Sequence, residues 1–159
     1  MIAGDSSASE RELRIRPASE EEVDAMIPLY EWLFAAPGSR PDAWDEQHAA
    51  SALAGAIRSE DSAVLVAERD GRLIGICTAY IDLDSVRFGR RCWVEDLAVD
   101  PERRAEGVGA KLLAEARSWA RARGATHLEL DSGEARSDAH RFYERERPSW
   151  RSISYAWKL

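Results

Sequence analysis

The segment Arg104-Ala105-Glu106-Gly107-Val108-Gly109-Ala110 stands between a strand-like run and a helix-like one. Upstream, Trp93-Val94-Glu95-Asp96-Leu97-Ala98-Val99 is rich in β-branched and apolar residues, and Asp100-Pro101 stops it. Downstream, Leu112, Leu113, Ala116, Trp119 and Ala120 recur at helical spacing as far as Gly124. A helix that starts this way offers free backbone N–H groups and the positive end of its dipole to an anion such as a pyrophosphate. Gly107 and Gly109 would let that anion approach the main chain with no Cβ in the way. A P-loop needs its two glycines with four residues between them, then Lys and Ser or Thr, whereas here Gly107 and Gly109 are too close and Lys111 is followed by Leu112. A dinucleotide fingerprint needs a third glycine where Leu112 sits, although Glu129 and Asp131 lie about where its ribose-binding acid would. Both of those readings fail on spacing.

Other groups with chemical potential lie on either side of the loop. Glu95 and Asp96 are adjacent carboxylates in the strand that leads into it, and period-2 alternation sends them to opposite faces. Tyr143 follows Phe142 in Ala139-His140-Arg141-Phe142-Tyr143-Glu144, shortly after another strand pattern. A phenol with a pKa of ~10 is a candidate general acid once water is excluded. Beside Arg141 on a short helix, His140 reads as a surface or phosphate-facing group. His48, His127 and His140 with Cys77 and Cys92 show none of the spacings of a zinc site, so no metal is expected.

The elements that must position these groups can be read in order. Residues 1–10 are small, polar and Ser-rich and read as a disordered tail, leaving 11–159 as one domain. A first strand spans Leu13–Arg16. Ser19-x-x-Glu22 is a capping box, and the helix it opens has Val23, Met26, Ile27, Tyr30 and Leu33 on its apolar face, with Pro28 set to kink it. A loop at 35–41 precedes a second helix from about Trp44 to Arg58. Asp70-Gly71 joins two strands, Ser62–Glu68 and Arg72–Leu83, as a hairpin. The Trp93–Val99 strand, the long helix to Arg123, a Thr126–Asp131 strand, a short Asp138–Arg145 helix and a last Ser152–Trp157 strand complete the pattern. The order β-α-α-β-β-β-α-β-α-β predicts an α/β fold, a central mixed sheet with helices on both faces.

A length of 159 residues, 45% hydrophobic and 32% charged, suits one well-buried globular domain. No apolar run approaches the ~18–20 residues of a membrane span, and the first residues lack the order of a signal peptide. Two cysteines in or beside strand patterns read as buried free thiols, which fits a reducing, cytoplasmic setting. A net charge of −7 argues against nucleic acid as a partner and favours a cationic small molecule. Arg87, Arg90, Arg91, Arg103, Arg104 and Lys111 form a basic group in sequence around the proposed phosphate loop.

Arg104-x-x-Gly107-x-Gly109 resembles the acyl-CoA pyrophosphate loop of the GNAT superfamily of N-acetyltransferases, and the Ala139–Glu144 segment resembles that family's Ala-x-x-Phe-Tyr-Glu helix. The resemblance covers roughly Leu13 to Tyr143 and implies a GNAT fold, acetyl-CoA as co-substrate and a primary amine of a small cationic metabolite or antibiotic as acceptor. It implies that Arg104, Ala105, Glu106, Gly107, Val108, Gly109 and Ala110 bind the pyrophosphate. Leu97, Ala98 and Val99 would hold the pantetheine arm, and Ser137 would contact it. Tyr143 maps to the general acid. Glu95 shares the face of Leu97 and Val99 by simple alternation and is the favoured base, a bulge being the feature that would reverse this; Asp131 or a water chain is the other option. Trp32, Phe34 and Asp131 are the acceptor-side residues, with helix packing the first role for Trp32. Ala105 and Glu106 depart from the family's usual glycine and basic or amide residue, and Arg136-Ser137 stands where an asparagine is common. Arg145-Glu146-Arg147-Pro148 replaces the usual Gly-Phe after Glu144, which alters or shortens the final hairpin. A non-catalytic acyl-CoA-binding module and a protein N-terminal or lysine acetyltransferase are the rival readings, and a homodimer is compatible with all of them.

Overall fold

The structure, a computed structural model, describes residues 12–159, so the expected tail at 1–10 lies outside the described residues. Five strands form one sheet in the order β1-β2-β3-β4-β5: β1 (Arg14–Pro17), β2 (Ser62–Arg69), β3 (Arg72–Ser85), β4 (Gly89–Val99) and β5 (His127–Glu129). The first four are antiparallel neighbours, and β5 joins β4 in parallel. The Asp70-Gly71 turn closes the β2–β3 hairpin with positive φ at both residues, 52° and 70°, as a two-residue turn matching the strand twist demands. The fold is the expected mixed sheet with helices on both faces.

One face is covered by α3 (Val108–Ala122), the long helix that follows the glycine loop. Its Val108, Leu112, Leu113, Ala116 and Ala120 pack on Leu65, Ala67, Cys77, Ala79, Cys92 and Val94. α3 comes so close that a Cβ on Gly75 would lie 2.9 Å from Leu112 Cδ1, so β3 needs a glycine there. The other face is covered by α1, a run of short helical turns (Glu20–Glu22, Val23–Met26, Ile27–Tyr30, Glu31–Phe34), and by α2 (Glu46–Arg58). Val23, Met26, Leu29, Tyr30 and Leu53 meet Val64, Val66, Ile76 and Ala98 there. Pro28 lacks an N–H, and the chain tightens into a 3₁₀ turn around it, which is the expected break. The expected capping box forms between Ser19 and Glu22: Glu22 Oε2 accepts the Ser19 N–H at 2.9 Å, while Arg16 grips the same carboxylate and Glu68. Arg16 is the main reason the Glu22 carboxyl falls to about 2, against the opposing effect of burial.

Several boundaries differ from expectation. β4 starts at Gly89 rather than Trp93, because Ser85 and Asp84 of β3 pair with Gly89 and Arg90 and extend the ladder through charged residues. The helix α4 (Ser137–Arg145) starts one residue before the expected Asp138. β5 keeps only the middle of the expected Thr126–Asp131. The expected strand at Ser152–Trp157 is absent, because no neighbouring strand offers these residues backbone partners. No helix among the described residues is long and apolar enough to cross a membrane. Cys77 and Cys92 are buried free thiols, as expected, and burial pushes them up to about 12 and about 11.

Candidate active site

The loop at residues 100–107 is shaped by its backbone. Asp100 caps a 3₁₀ turn at Pro101–Arg103 by accepting the Glu102 N–H, and Ala105 and Gly107 then take positive φ of 67° and 79°. Gly107 is the N-cap of α3 and provides no side-chain cap. The first helical bond runs from the Lys111 N–H to the Gly107 carbonyl at 3.1 Å, so the N–H groups of Val108, Gly109 and Ala110 have no acceptor within the helix. A Cβ at Gly107 would meet nothing within 4 Å, which leaves the approach open. The Gly109 Cα faces Phe142 and Val99 instead, where a Cβ would make ordinary contact at 3.5 and 3.7 Å. Packing against α4 therefore leaves room for a Cβ at Gly109 and does not itself demand a glycine there. Donor groups, helix dipole and open space together fit a pyrophosphate.

Glu106 lies in this loop and its carboxylate is held by Arg69, with Arg103 at 3.7 Å on its other oxygen. Arg69, from the end of β2, went unnoticed in the sequence because it is distant along the chain. The sequence grouping of arginines, by contrast, does not converge. Arg90 pairs with Asp61 at 3.6 Å, Arg91 with Asp82 and Glu129, and Arg87 lies over the Phe88 ring. Arg90 and Arg91 sit at the far end of β4, with Arg87 in the turn before it, and β4 is a strand of 11 residues and so about 35 Å long. Arg103, Arg104 and Lys111 remain at the loop and are exposed.

β4 carries a bulge. Ala79 pairs with Val94 and Thr78 with Asp96, which leaves Glu95 as an extra residue. Cys92 and Val94 before it, and Leu97 and Val99 after it, all belong to the α3 side of the sheet, while Ala98 belongs to the α1 side. The expectation that Glu95 shares the face of Leu97 and Val99 is thus overturned, and so is the separation of the two carboxylates to opposite faces. Asp96 Oδ2 accepts from the Tyr30 hydroxyl at 2.9 Å and the Thr78 hydroxyl at 2.7 Å, and Thr78 Oγ1 in turn accepts the Asp96 N–H at 3.1 Å. This pins the bulge to α1. Burial, then the Asp96 charge, pushes the Tyr30 hydroxyl far above its ordinary range, so it stays a donor. Glu95 is exposed; its Oε2 accepts from Trp93 Nε1 at 2.9 Å and the Tyr80 hydroxyl at 3.2 Å. Burial and then Glu95 push Tyr80 up to about 12. Tyr30, Thr78 and Tyr80 were missed in the sequence because their relation to the carboxylates depends on strand register.

Past the bulge the sheet opens. β4 and β5 pair only at Arg91–His127, Cys92–Leu128 and Trp93–Glu129, so β4 from Val94 to Val99 has a free edge on that side. Tyr143, on α4, is half-buried. Burial pushes its hydroxyl up to about 12; a charge on Cys77 and the Asp131 carboxylate push the same way, and Arg136 pulls it down. Phe142 beside it packs on the α3-side core and faces Gly109 at the start of α3, which sets α4 against that side of the sheet. Asp131 is exposed just past β5, and Ser137 is the exposed first residue of α4. Arg136 spans to the opposite wall, where its Nη2 donates to the Leu33 carbonyl at 2.8 Å. A Cβ on Gly38 would overlap that same backbone carbonyl oxygen of Leu33, so this joint requires glycine.

Phe34, Tyr30 and Trp44 form one aromatic cluster, with centroids 4.7 Å apart for Phe34–Trp44 and 5.5 Å for Tyr30–Trp44. Trp32 and Phe34 both pack on the α1-side core, so packing is their evident role. An open cavity lined by Asp24, Ile27, Glu31, Trp44 and Ala50 lies between α1 and α2.

The sequence profile of the acetyltransferase (GNAT) family matches residues 23–147. The chain is 30% identical over 132 residues to the uncharacterized N-acetyltransferase YhfO of Bacillus subtilis (strain 168), covering 83% of this chain and 87% of that protein. It is 35% identical over 81 residues to the aminoalkylphosphonate N-acetyltransferase of Salmonella typhimurium, covering 51% and 53% of the two. The aminoglycoside N-acetyltransferase AAC(6')-Iy, solved in complex with CoA, superposes with a TM-score of 0.77 at 19% identity, over 93% of this chain and 96% of that one.

Proposed function

The chain belongs to the acetyltransferase (GNAT) family and is an acetyl-CoA-dependent N-acyltransferase, and from that premise we propose that it acetylates the primary amine of a small cationic molecule by direct attack within a ternary complex. The parting of β4 and β5 beside the uncapped start of α3 carries this reading. The N–H groups of Val108, Gly109 and Ala110, with Arg104 outside them, would receive the pyrophosphate. The free edge at Leu97, Ala98 and Val99 would hold the pantetheine arm, and Ser137 would meet it from α4. A β4 N–H near Leu97 would polarise the thioester oxygen.

Glu95 is the better base of the two carboxylates. Asp96 is committed to Tyr30 and Thr78, whereas Glu95 is exposed and engages only Oε2, which leaves Oε1 for an ammonium proton. The amine nitrogen, once deprotonated, forms the new C–N bond as the C–S bond breaks. The Tyr143 proton goes to the departing sulfur, and solvent returns a proton to Tyr143. A cationic acceptor fits the net charge of −7 and the carboxylates Glu95 and Asp131 around the parting. The relatives named for aminoalkylphosphonates and aminoglycosides also act on amines that form part of small polar molecules.

The test is thiol release from acetyl-CoA across a panel of aminoglycosides, polyamines, aminoalkylphosphonates and peptide N-termini, with products identified by mass spectrometry. Turnover with a small cationic amine is the expected result. Acetyl-CoA binding with no turnover on any amine would overturn the catalytic reading, and turnover restricted to peptides would overturn the substrate class.

A further inference from the structure

Half-buried arginines in this fold are neutralised, with one exception. Arg16 pairs with Glu22 and Glu68, Arg69 with Glu106, Arg90 with Asp61, Arg91 with Asp82 and Glu129, and Arg117 with Glu146. Arg136 is equally half-buried, yet among the described residues it pairs with no carboxylate. Its Nη2 donates to a neutral group instead, the Leu33 carbonyl. Acids close to it in the chain are taken up elsewhere, Asp138 by Arg141 and Glu144 by Arg151. A charge drawn partly out of water with no counter-charge costs free energy, so a fold that keeps one calls for a use for it. The guanidinium is also held in place. Leu33 lies in the last turn of α1, where carbonyls lack helical partners, and Gly38 packs against the same oxygen. At the other end, the Arg136 N–H donates to the Gly133 carbonyl at 3.0 Å, and its own carbonyl accepts the His140 N–H at 3.0 Å.

Resting on the reading of Tyr143 as the acid, we propose that Arg136 is a positioning residue of the transfer: clamped between α1 and α4, its unneutralised charge stabilises the phenolate that Tyr143 becomes as its proton leaves. Tyr143 follows Arg136 by two helical turns on α4, and helical side chains lean toward the helix N-terminus, so the phenol leans back toward Arg136. Burial is the largest influence that keeps the Tyr143 proton on; Cys77 from β3 and Asp131 past β5 add to it, and Arg136 is the influence that opposes them. In the step itself the C–S bond breaks to give a thiolate, and the phenolic proton moves to sulfur. The negative charge then rests on the Tyr143 oxygen until solvent returns a proton. A carboxylate paired with Arg136 would cancel its action, which gives the missing partner a reason. A charge about 8–10 Å away, through an effective dielectric of about 20, changes a protonation equilibrium by roughly 15–30-fold, and a rate that captures part of this changes by about 5–10-fold.

The test is a double-mutant cycle on single-turnover thiol release from acetyl-CoA, with concentrated ethylenediamine as the probe amine. Arg136→Met keeps the apolar stem and removes the charge, and Arg136→Lys keeps a charge. Arg136→Met should slow the wild type about 5–10-fold and leave Tyr143→Phe unchanged within about twofold, because that variant forms no phenolate. Arg136→Lys should restore most of the lost rate. CoA affinity by calorimetry should stay at the wild-type value in every variant. A purely structural clamp would slow both backgrounds equally, and that result overturns the proposal, as does a Lys variant no faster than Met. A wild-type rate in Tyr143→Phe overturns the acid reading and this inference together, whereas a slow Tyr143→Phe slowed again by Arg136→Met overturns this inference alone. If ethylenediamine is not turned over, CoA itself is the probe, its bound thiol titrated by thiolate absorbance. The charge that favours the phenolate also favours a thiolate beside it, so Arg136→Met should make the thiol hold its proton about tenfold more tightly; an unchanged titration overturns the proposal.

Discussion

Changing Tyr143 to Phe removes one oxygen and keeps the ring that packs beside Phe142, 5.1 Å between centroids. The size of the effect depends on how well the phenol matches the thiolate it must protonate. With the hydroxyl pushed up to about 12 and a free thiol at ~8.5 in water, the transfer would be uphill by ~3.5 pKa units, or about 5 kcal/mol. Burial acts on both partners in the same direction, since a thiolate that leaves the thioester away from bulk water is also a stronger base, so the mismatch narrows and a general acid remains effective. Tyr143→Phe should then lower kcat by about 10²–10⁴-fold, measured by single-turnover thiol release, with acetyl-CoA affinity nearly unchanged. The melting temperature should move little, since no side-chain partner is lost. The pH profile gives a second reading. Tyr143 stays protonated to about 12, so the wild-type rate should rise as the amine loses its proton and show no Tyr143-dependent fall below about pH 10. A variant with wild-type single-turnover rate would refute the acid assignment, and a falling limb near neutrality that vanishes in the variant would refute the raised pKa of the phenol.

Glu95→Gln should slow the reaction mainly at low pH and approach wild-type rates above the acceptor amine's own pKa; an unchanged pH–rate profile would remove Glu95 as base. Gly107→Val should abolish acetyl-CoA binding by calorimetry and destabilise by about 1–2 kcal/mol through its positive φ, whereas Gly109→Ala should keep both, because its Cβ finds ordinary contact with Phe142. Glu106→Gln should tighten CoA binding several-fold and steepen its salt dependence by releasing Arg69 and Arg103 to the phosphates, with acetyl-pantetheine unaffected; weaker CoA binding would show that the carboxylate organises the loop instead. Glu22 titrates near 2 in the fold against a usual value near 4.5, so its contribution is full above about pH 4.5 and lost as pH falls through 2. After solvent screening that amounts to about 1 kcal/mol, and a pH-resolved denaturant series should show it disappear in Glu22→Gln.

What the sequence revealed and what it hid divide along one physical line. The α3 start, the Asp70-Gly71 turn and the break at Pro28 are settled by residues adjacent in the chain, through backbone conformation or a missing N–H, and they stand where the spacing put them. The family was legible for the same reason, since the loop and the Tyr143 helix that carry the resemblance each lie within one short segment. Register is another matter. One extra residue at Glu95 reverses the parity of β4, and it arises because Thr78 can satisfy Asp96 with both its hydroxyl proton and its lone pair, a bond across 18 positions. The phosphate end misled through the opposite error, in which nearness in sequence stood in for nearness in space. An 11-residue extended strand carries Arg90 and Arg91 far from the loop, while the β2–β3 hairpin brings Arg69 back to it. The unpaired Ser152–Trp157 segment combines both lessons. Its alternation reads as a strand with one apolar face, but a strand exists only where another strand supplies its hydrogen bonds, and no local pattern can name that partner.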